Sequence, residues 1–371
     1  MLIKNARVFL PDGTVKKTDV RFEARVIETG ALSGEGIDAE GLTLIPGLVD
    51  LHTHGAMGED VSDGDEKALK QMAAFCANNG ITSFLPTTMT LDEQTLTRAM
   101  HTIRDYRNEN GARVVGVRLE GPFLSAKRKG AQAAEFLHTP DVAFLKRLQQ
   151  ASGSLVRIVD IAPELPGAME FIKEASTLCR VSLAHSAADY DSAVEAFHSG
   201  ATQVTHLFNA MEPFLHRAPG IVGAAADENA YVEIIVDGIH LHPAMVRAVF
   251  KLFERICLIS DSMRGAGLPD GEYSLGGQSV HVHDGKCTLE DGTIAGSGIH
   301  LMTGLRRSVE FGIPLEKAVA AATILPAKAI GMEKEIGVIA PGAHADFVLL
   351  DGGLDIRGVY IGGKLWNAAE N

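Results

Sequence analysis

His52 and His54 close the apolar run Leu42-Thr43-Leu44-Ile45-Pro46-Gly47-Leu48-Val49, with Asp50 and Leu51 between. Successive side chains of a strand alternate, so these two imidazoles leave a strand end on the same side. A converging pair of this kind can hold a divalent cation in an open, catalytic form. Alone, they could equally be two ordinary loop histidines. The same residue types recur further along, each closing another apolar stretch. Val117-Arg118-Leu119 leads to Glu120, Val181-Ser182-Leu183-Ala184 to His185, Val204-Thr205 to His206, and Leu258-Ile259-Ser260 to Asp261. Any one of them has a bland explanation, such as a carboxylate facing water or a satisfied core histidine. Five strand ends offering metal-ligand types together do not.

The chemistry asks for these types. A divalent cation brings the pKa of a bound water close to neutrality. Neutral imidazoles and carboxylates are its ordinary protein ligands. An aspartate beside that water can take its proton and later hand it to a leaving amine. A histidine across the site can polarise the attacked carbonyl. The set suits hydrolysis of an amide or related C–N bond. His240 follows Asp237-Gly238-Ile239 and is placed to face a substrate, whereas His242 precedes Pro243 and reads as structural. His281-Val282-His283 is a third such pair, but it falls in an expected hairpin and reads as a solvated strand face. Met263-Arg264-Gly265 brings a positive charge close behind Asp261, unless Arg264 is a solvated loop residue.

Groups so far apart in sequence need a scaffold that gathers strand ends. Apolar strands are expected at 48–52, 82–87, 114–120, 157–162, 181–185, 202–206, 232–237 and 257–261. Helix-like segments such as 64–79, 91–108, 165–178 and 243–255 lie between them. In 188–199, Tyr190, Val194 and Phe197 fall on one helical face and Gly200 follows as a stop. Further helices are expected near 299–311 and 314–331. Eight strand–helix units give an α/β fold, a (β/α)8 TIM-type barrel, with catalysis at the C-terminal strand ends. Residues 1–46 and 336–371 read as β instead, and are expected to pair into one small β-sandwich domain. The barrel then spans 47–335, with a β-hairpin insertion at about 272–294 and turns at Gly276-Gly277, Asp284-Gly285 and Asp291-Gly292.

Bulk properties agree. The chain has 371 residues, enough for one large barrel, with 46% hydrophobic and 22% charged residues. Its net charge of −13 argues against a nucleic-acid-binding surface, and an anionic substrate would need a local cation. Cys76, Cys179, Cys257 and Cys287 are widely spaced with no C-x-x-C, which fits a reducing, cytoplasmic setting without disulfides. The first residues alternate and turn at Pro11-Asp12-Gly13, reading as a strand rather than a signal peptide. No run of about 18 apolar residues suggests a membrane span.

The chain resembles the amidohydrolase superfamily and, within it, the N-acetylglucosamine-6-phosphate deacetylases, over almost its whole length. The wider superfamily is marked by His52-Thr53-His54 and by Pro341-Gly342-Ala343-His344-Ala345-Asp346. The deacetylase group is marked by Leu119-Glu120-Gly121-Pro122 and His206-Leu207-Phe208-Asn209-Ala210-Met211. The resemblance implies removal of acetate from N-acetylglucosamine 6-phosphate. By motif, Glu120, His185 and His206 would bind the main metal. A second metal would sit at His52 and His54 with Glu120 bridging, giving one or two divalent ions (Zn, Fe, Mn or Co) per chain. Asp261 would be the general acid/base, and His240 would polarise the carbonyl or touch the sugar. Asn209 and Ala210 would offer amides to the phosphate and Arg217 would pair with it. Ala295, Gly296 and Ser297 would line the sugar pocket. Gln132 stands where some members have histidine, able to hydrogen-bond a sugar hydroxyl but not to carry charge. The family also implies a homodimer in which the arginine reaches a neighbour's phosphate. The same chemistry on N-acetylgalactosamine 6-phosphate or another N-acyl substrate is the near alternative. A non-catalytic barrel would have lost these ligands.

Overall fold

The protein's structure, a computed structural model, describes residues 1–107 and 110–367. The last residue of the expected 91–108 helix and the end of the 336–371 segment lie outside the described residues. Eight parallel strands form the barrel in sequence order: Leu48–Thr53, Ile81–Thr88, Val117–Phe123, Val156–Ile161, Arg180–Leu183, Gln203–Val204, Tyr231–Ile235 and Ile256–Ile259. The ring closes between the eighth and first strands, where the Asp261 amide donates to His52 O at 2.9 Å and the His54 amide to Ser262 O at 2.8 Å. Alternation decides what faces inward. Val117 and Leu119 pack with Phe144 and Leu145 of the following helix, Val142–Ala151, while Arg118 and Glu120 point into the barrel.

The helices begin and end where local chemistry dictates. Glu66–Asn78 starts behind Asp65, whose carboxylate accepts the Lys67 amide hydrogen bond. Tyr190–Ser199 is capped by Asp189 and stops at Gly200. The expected 314–331 helix is two, Leu315–Ala322 and Ile324–Ala329, broken at Thr323. Pro326 has no amide hydrogen to continue the first helix's ladder. Strands five, six and eight end two residues earlier than the sequence suggests. His185, His206 and Asp261 each lie two residues past the last strand residue, with φ of 43°, 27° and 49°. A left-handed residue cannot continue a strand, so each kink turns its side chain over the barrel mouth.

The two chain ends share one sheet, in the order Lys364–Leu365, Ile356–Ile361, Phe347–Leu350, Thr43–Pro46, Leu2–Phe9, Val15–Phe22 and Val26–Gly30. Phe22 and Phe347 sit three strand steps apart, which would be about 14 Å in a flat sheet. Their ring centroids are 5.2 Å apart. The sheet therefore curls over a core of its own, with Val8, Val20, Leu44 and Tyr360 inside. The expected hairpin after strand eight is a three-stranded sheet, Gly271–Leu275, Gln278–His283 and Lys286–Thr288. It packs on the mouth through Met89, Ala131, Met263 and Leu275.

Candidate active site

Six chemically competent side chains meet at the barrel mouth. Glu120 Oε1 lies 3.1 Å from His185 Nε2 and 3.0 Å from His206 Nε2, and those two nitrogens are 3.2 Å apart. On the other side, His52 and His54 bring their Nε2 atoms to 3.1 Å, with Glu120 Oε2 3.1 Å from His54 Nε2. Asp261 Oδ1 stands 3.3 Å from His52 Nε2 and 3.2 Å from His54 Nε2. These form two three-residue sets that share Glu120. Gly121 follows Glu120 at φ 97°, where a Cβ would lie 2.0 Å from Thr90 Oγ1, so only glycine lets the strand turn there.

The donor set fits a divalent cation. His54 Nδ1 faces Thr87 O at 3.0 Å and His185 Nδ1 faces Arg128 O at 2.9 Å. A carbonyl accepts only, so both Nδ1 atoms carry the proton in the neutral ring, and each Nε2 turns a lone pair towards carboxylate oxygen. Lone pair against carboxylate at 3.1 Å is repulsive unless a positive charge lies between. Ligands held about 2.0–2.1 Å from a tetrahedral ion stand about 3.3 Å apart, close to the spacing here. The electrostatics agree. Burial works against charge on every group, yet His54 is raised well above the ordinary histidine range by Asp261 and Glu120. His52 is raised to about 9 against burial and Arg118, through Asp261 and Glu120. Burial opposes ionisation of Glu120 too, but the surrounding imidazoles hold it well below the usual carboxylate value. Asp261 is held at about 2, with His52 and His54 outweighing burial. The mouth calls for positive charge.

A cavity of about 400 Å³ opens over this cluster. His240, Asn209, Ala210, Gly296 and Gln132 line it, as do Lys127 and Arg128, which the sequence reading did not single out. His240 Nδ1 pairs with Asp237 Oδ2 at 2.6 Å, leaving Nε2 for a substrate. Gln132 is committed to the cluster itself: Nε2 donates to Glu120 Oε2 at 2.7 Å and Oε1 accepts from the Thr90 amide at 2.8 Å. Asn209 Nδ2 donates to His206 O at 3.1 Å, bracing the kinked ligand. Ser297 turns inward, its hydroxyl donating to Ser260 O at 2.5 Å, and Ala295 is buried in the small sheet's core. Arg217 is not brought to its own chain's cavity. It sits exposed on a tight turn closed by paired backbone bonds between Leu215 and Ala218.

The remaining expectations resolve simply. His281 and His283 are exposed on a strand face, and His242 caps the helix Pro243–Leu252 by accepting the Ala244 amide. Arg264 pairs with Asp63 at 3.0 Å and donates to Gly58 O and Ser274 O, tying mouth loops together. Sequence reasoning missed a fully buried ionic group beneath the mouth, Arg118 with Asp160 and Glu233. The signal was there: one charge inside each apolar strand, as in Val232-Glu233-Ile234.

The amidohydrolase family model matches residues 43–366. An N-acetylglucosamine-6-phosphate deacetylase of Bacillus subtilis is 38% identical over 325 residues, 84% of this chain and 82% of that one. An N-acetylgalactosamine-6-phosphate deacetylase of Escherichia coli O157:H7 is 38% identical over 334 residues, 88% of each chain. A crystal structure of N-acetylglucosamine-6-phosphate deacetylase from Pasteurella multocida superposes with a TM-score of 0.93 at 29% identity, covering 98% of both chains.

Proposed function

The chain belongs to the amidohydrolase family, in the group of the N-acetylglucosamine-6-phosphate deacetylases, and from that premise we propose that it hydrolyses the acetamide of N-acetyl-D-glucosamine 6-phosphate to glucosamine 6-phosphate and acetate. The observation that carries this reading is the pair of buried ligand sets sharing Glu120, with Asp261 Oδ1 within 3.3 Å of both strand-one histidines. Glu120, His185 and His206 would hold one divalent cation, and His52 and His54 with Glu120 would hold a second. Such an ion supplies Lewis acidity, bringing water close to ionisation at neutral pH and drawing charge from a carbonyl. Asp261 takes the water's proton as the C–O bond forms, then delivers it to the sugar nitrogen as the C–N bond breaks. Asp237 fixes the His240 ring, whose Nε2 meets the acetamide or sugar.

The phosphate goes to the outer part of the cavity, beside Asn209 and Ala210. Arg128 there is paired with Glu212 at 2.7 Å. Arg217 reaches outwards with Phe214 and Leu215, which are 44% and 53% exposed on the same turn. That apolar, cationic arm supports a homodimer in which each Arg217 completes the partner's phosphate site. A cytoplasmic setting is supported by four free cysteines. No helix among the described residues is long and apolar enough to cross a membrane.

The test is acetate release from gluco and galacto N-acetylhexosamines, with and without 6-phosphate, beside metal analysis. N-acetylglucosamine 6-phosphate should turn over fastest, chelation should abolish release, and a divalent cation should restore it. Full activity in a verified metal-free preparation would overturn the mechanism. A faster galacto substrate would move the reading to the N-acetylgalactosamine enzyme.

A further inference from the structure

The four mouth histidines differ in what holds their far ring nitrogen. Carbonyl oxygens of Thr87 and Arg128 hold Nδ1 of His54 and His185. Nδ1 of His52 and of His206 are buried without a hydrogen-bond partner. Among the described residues, His206 has no carboxylate but Glu120 within ion-pair distance. His52 has another. Its Nδ1 faces Glu233 Oε2 at 3.8 Å, and that oxygen is also buried without a donor. Both residues are fully buried.

Glu233 is not a stray acid. Its other oxygen, Oε1, accepts from Arg118 Nη1 and from Gln203 Nε2, each at 2.5 Å. Arg118 is itself forked on Asp160, at 2.8 and 3.1 Å. One guanidinium thus serves two carboxylates, leaving a net negative charge beneath His52. Oε1 is fully engaged, so the unanswered part of that charge lies at Oε2, on the side of the imidazole. Metal-ligating histidines ordinarily donate their second ring N–H to a carboxylate or carbonyl, which fixes the tautomer and strengthens the ligand. A gap of 3.8 Å exceeds a hydrogen bond by less than about 1 Å, within reach of a small ring or carboxyl rotation.

We propose that Glu233, held by Arg118 and Gln203, is a positioning residue for His52: it takes the His52 Nδ1–H, so that Nε2 presents its lone pair to the cation at the strand-one half-site. This rests on the metal-site reading above and concerns only the second of its two ions. In that half-site Glu120 is shared with the other set, and Asp261 Oδ1 faces both imidazoles at 3.3 and 3.2 Å. Glu233 adds a negative charge on the far side of His52, where neither of those carboxylates reaches.

The experiment reads metal, not turnover. Stepwise Zn²⁺ affinities are measured by chelator competition on the whole protein for the parent, Glu233→Gln and Gln203→Leu, with folding checked by thermal unfolding of the metal-free forms. Glu233→Gln should keep one tight ion and weaken the other about 10- to 100-fold. Gln203→Leu removes one of the two donors that hold Glu233 but leaves the carboxylate and Arg118, and should weaken the second ion less than Glu233→Gln does. Two ions at parental affinity in Glu233→Gln, or an equal loss in Gln203→Leu, would overturn the proposal. Should Glu233→Gln not fold, imidazole ¹⁵N spectra of the metal-loaded parent decide. A proton on His52 Nδ1, assigned by its loss in His52→Gln, is expected, and its absence sinks the idea. A parent that never binds a second ion would instead fail the underlying two-metal reading.

Discussion

The two ligand sets that share Glu120 are built by different means. His52 lies within the strand Leu48–Thr53 and His54 directly after it, so ordinary strand alternation aims both rings. His185 and His206 come from backbone that has already left its strands, at φ 43° and 27°. Conformations of that kind cost about 1–3 kcal/mol each and persist only where the surroundings over-determine them. Here the surroundings are visible: the Ser125 amide donates to His185 O at 3.0 Å, and the Asn209 amide to His206 O at 2.9 Å. One half-site is therefore a pair of side chains on a regular element. The other is part of how the strand ends are folded. The first rests on strand alternation alone, and the second rests also on the backbone bonds that hold each kink.

That contrast predicts unequal losses. His206→Asn takes one of only two histidines from the kinked half-site and should bring acetate release below detection, with one ion lost. The double change His52→Gln, His54→Asn should also lose one ion but keep part of the activity. Metal content and kcat measured together check this. Two tightly held ions in the double variant, or the greater loss of activity there, would reverse the assignment of the two halves.

Asp261 belongs to both patterns, and its loss is the next largest effect expected. It is kinked like His185 and His206, at φ 49°, yet its Oδ1 stands against His52 and His54. Asparagine keeps the shape but cannot shuttle a proton. Asp261→Asn should fold, retain metal at the kinked half-site and lose about 10²- to 10⁴-fold in kcat. Near-parental kcat would place the base elsewhere.

The same contrast explains what the sequence revealed. Strand alternation is a short-range rule, so His52-Thr53-His54 is readable from three residues. The eight strand positions follow from apolar runs for the same reason, as does the pairing of chain ends from alternating segments. The kinks are not readable: nothing in Leu183-Ala184-His185 or Val204-Thr205-His206 announces a left-handed residue, which is held at His185 by the distant Ser125 amide and at His206 by a turn back from Asn209. Arg118, Asp160 and Glu233 were hidden differently. Each looks like an isolated charge in its own strand, and only barrel closure makes them one group. Gln132 reads in sequence as a sugar contact and lines the cavity, but its bond to Glu120, twelve residues away, is visible only through the fold.

Arg217 tests the comparison from outside, because neither half-site reaches it. It is exposed on the turn after strand six and absent from its own cavity wall. If it serves as the partner subunit's phosphate clamp, Arg217→Ala should leave the metal content of both half-sites at the parental level while weakening substrate capture. Arginine suits the task because its planar fork donates two parallel hydrogen bonds to a phosphate. Charge-assisted hydrogen bonds contribute about 1.5–3 kcal/mol each, so kcat/KM should fall roughly 10- to 150-fold. The loss should be confined to 6-phosphorylated substrates, since unphosphorylated N-acetylglucosamine has nothing for the guanidinium to hold. Dilution adds a second arm: below the concentration at which the dimer dissociates, the parent should show the same selective loss and Arg217→Ala should show little further change. Equal losses on both substrates, or none on either, would show that the arm does not hold phosphate. The cavity's own Lys127 would then be the cation to examine, since it lines the wall that Arg217 does not reach within one chain.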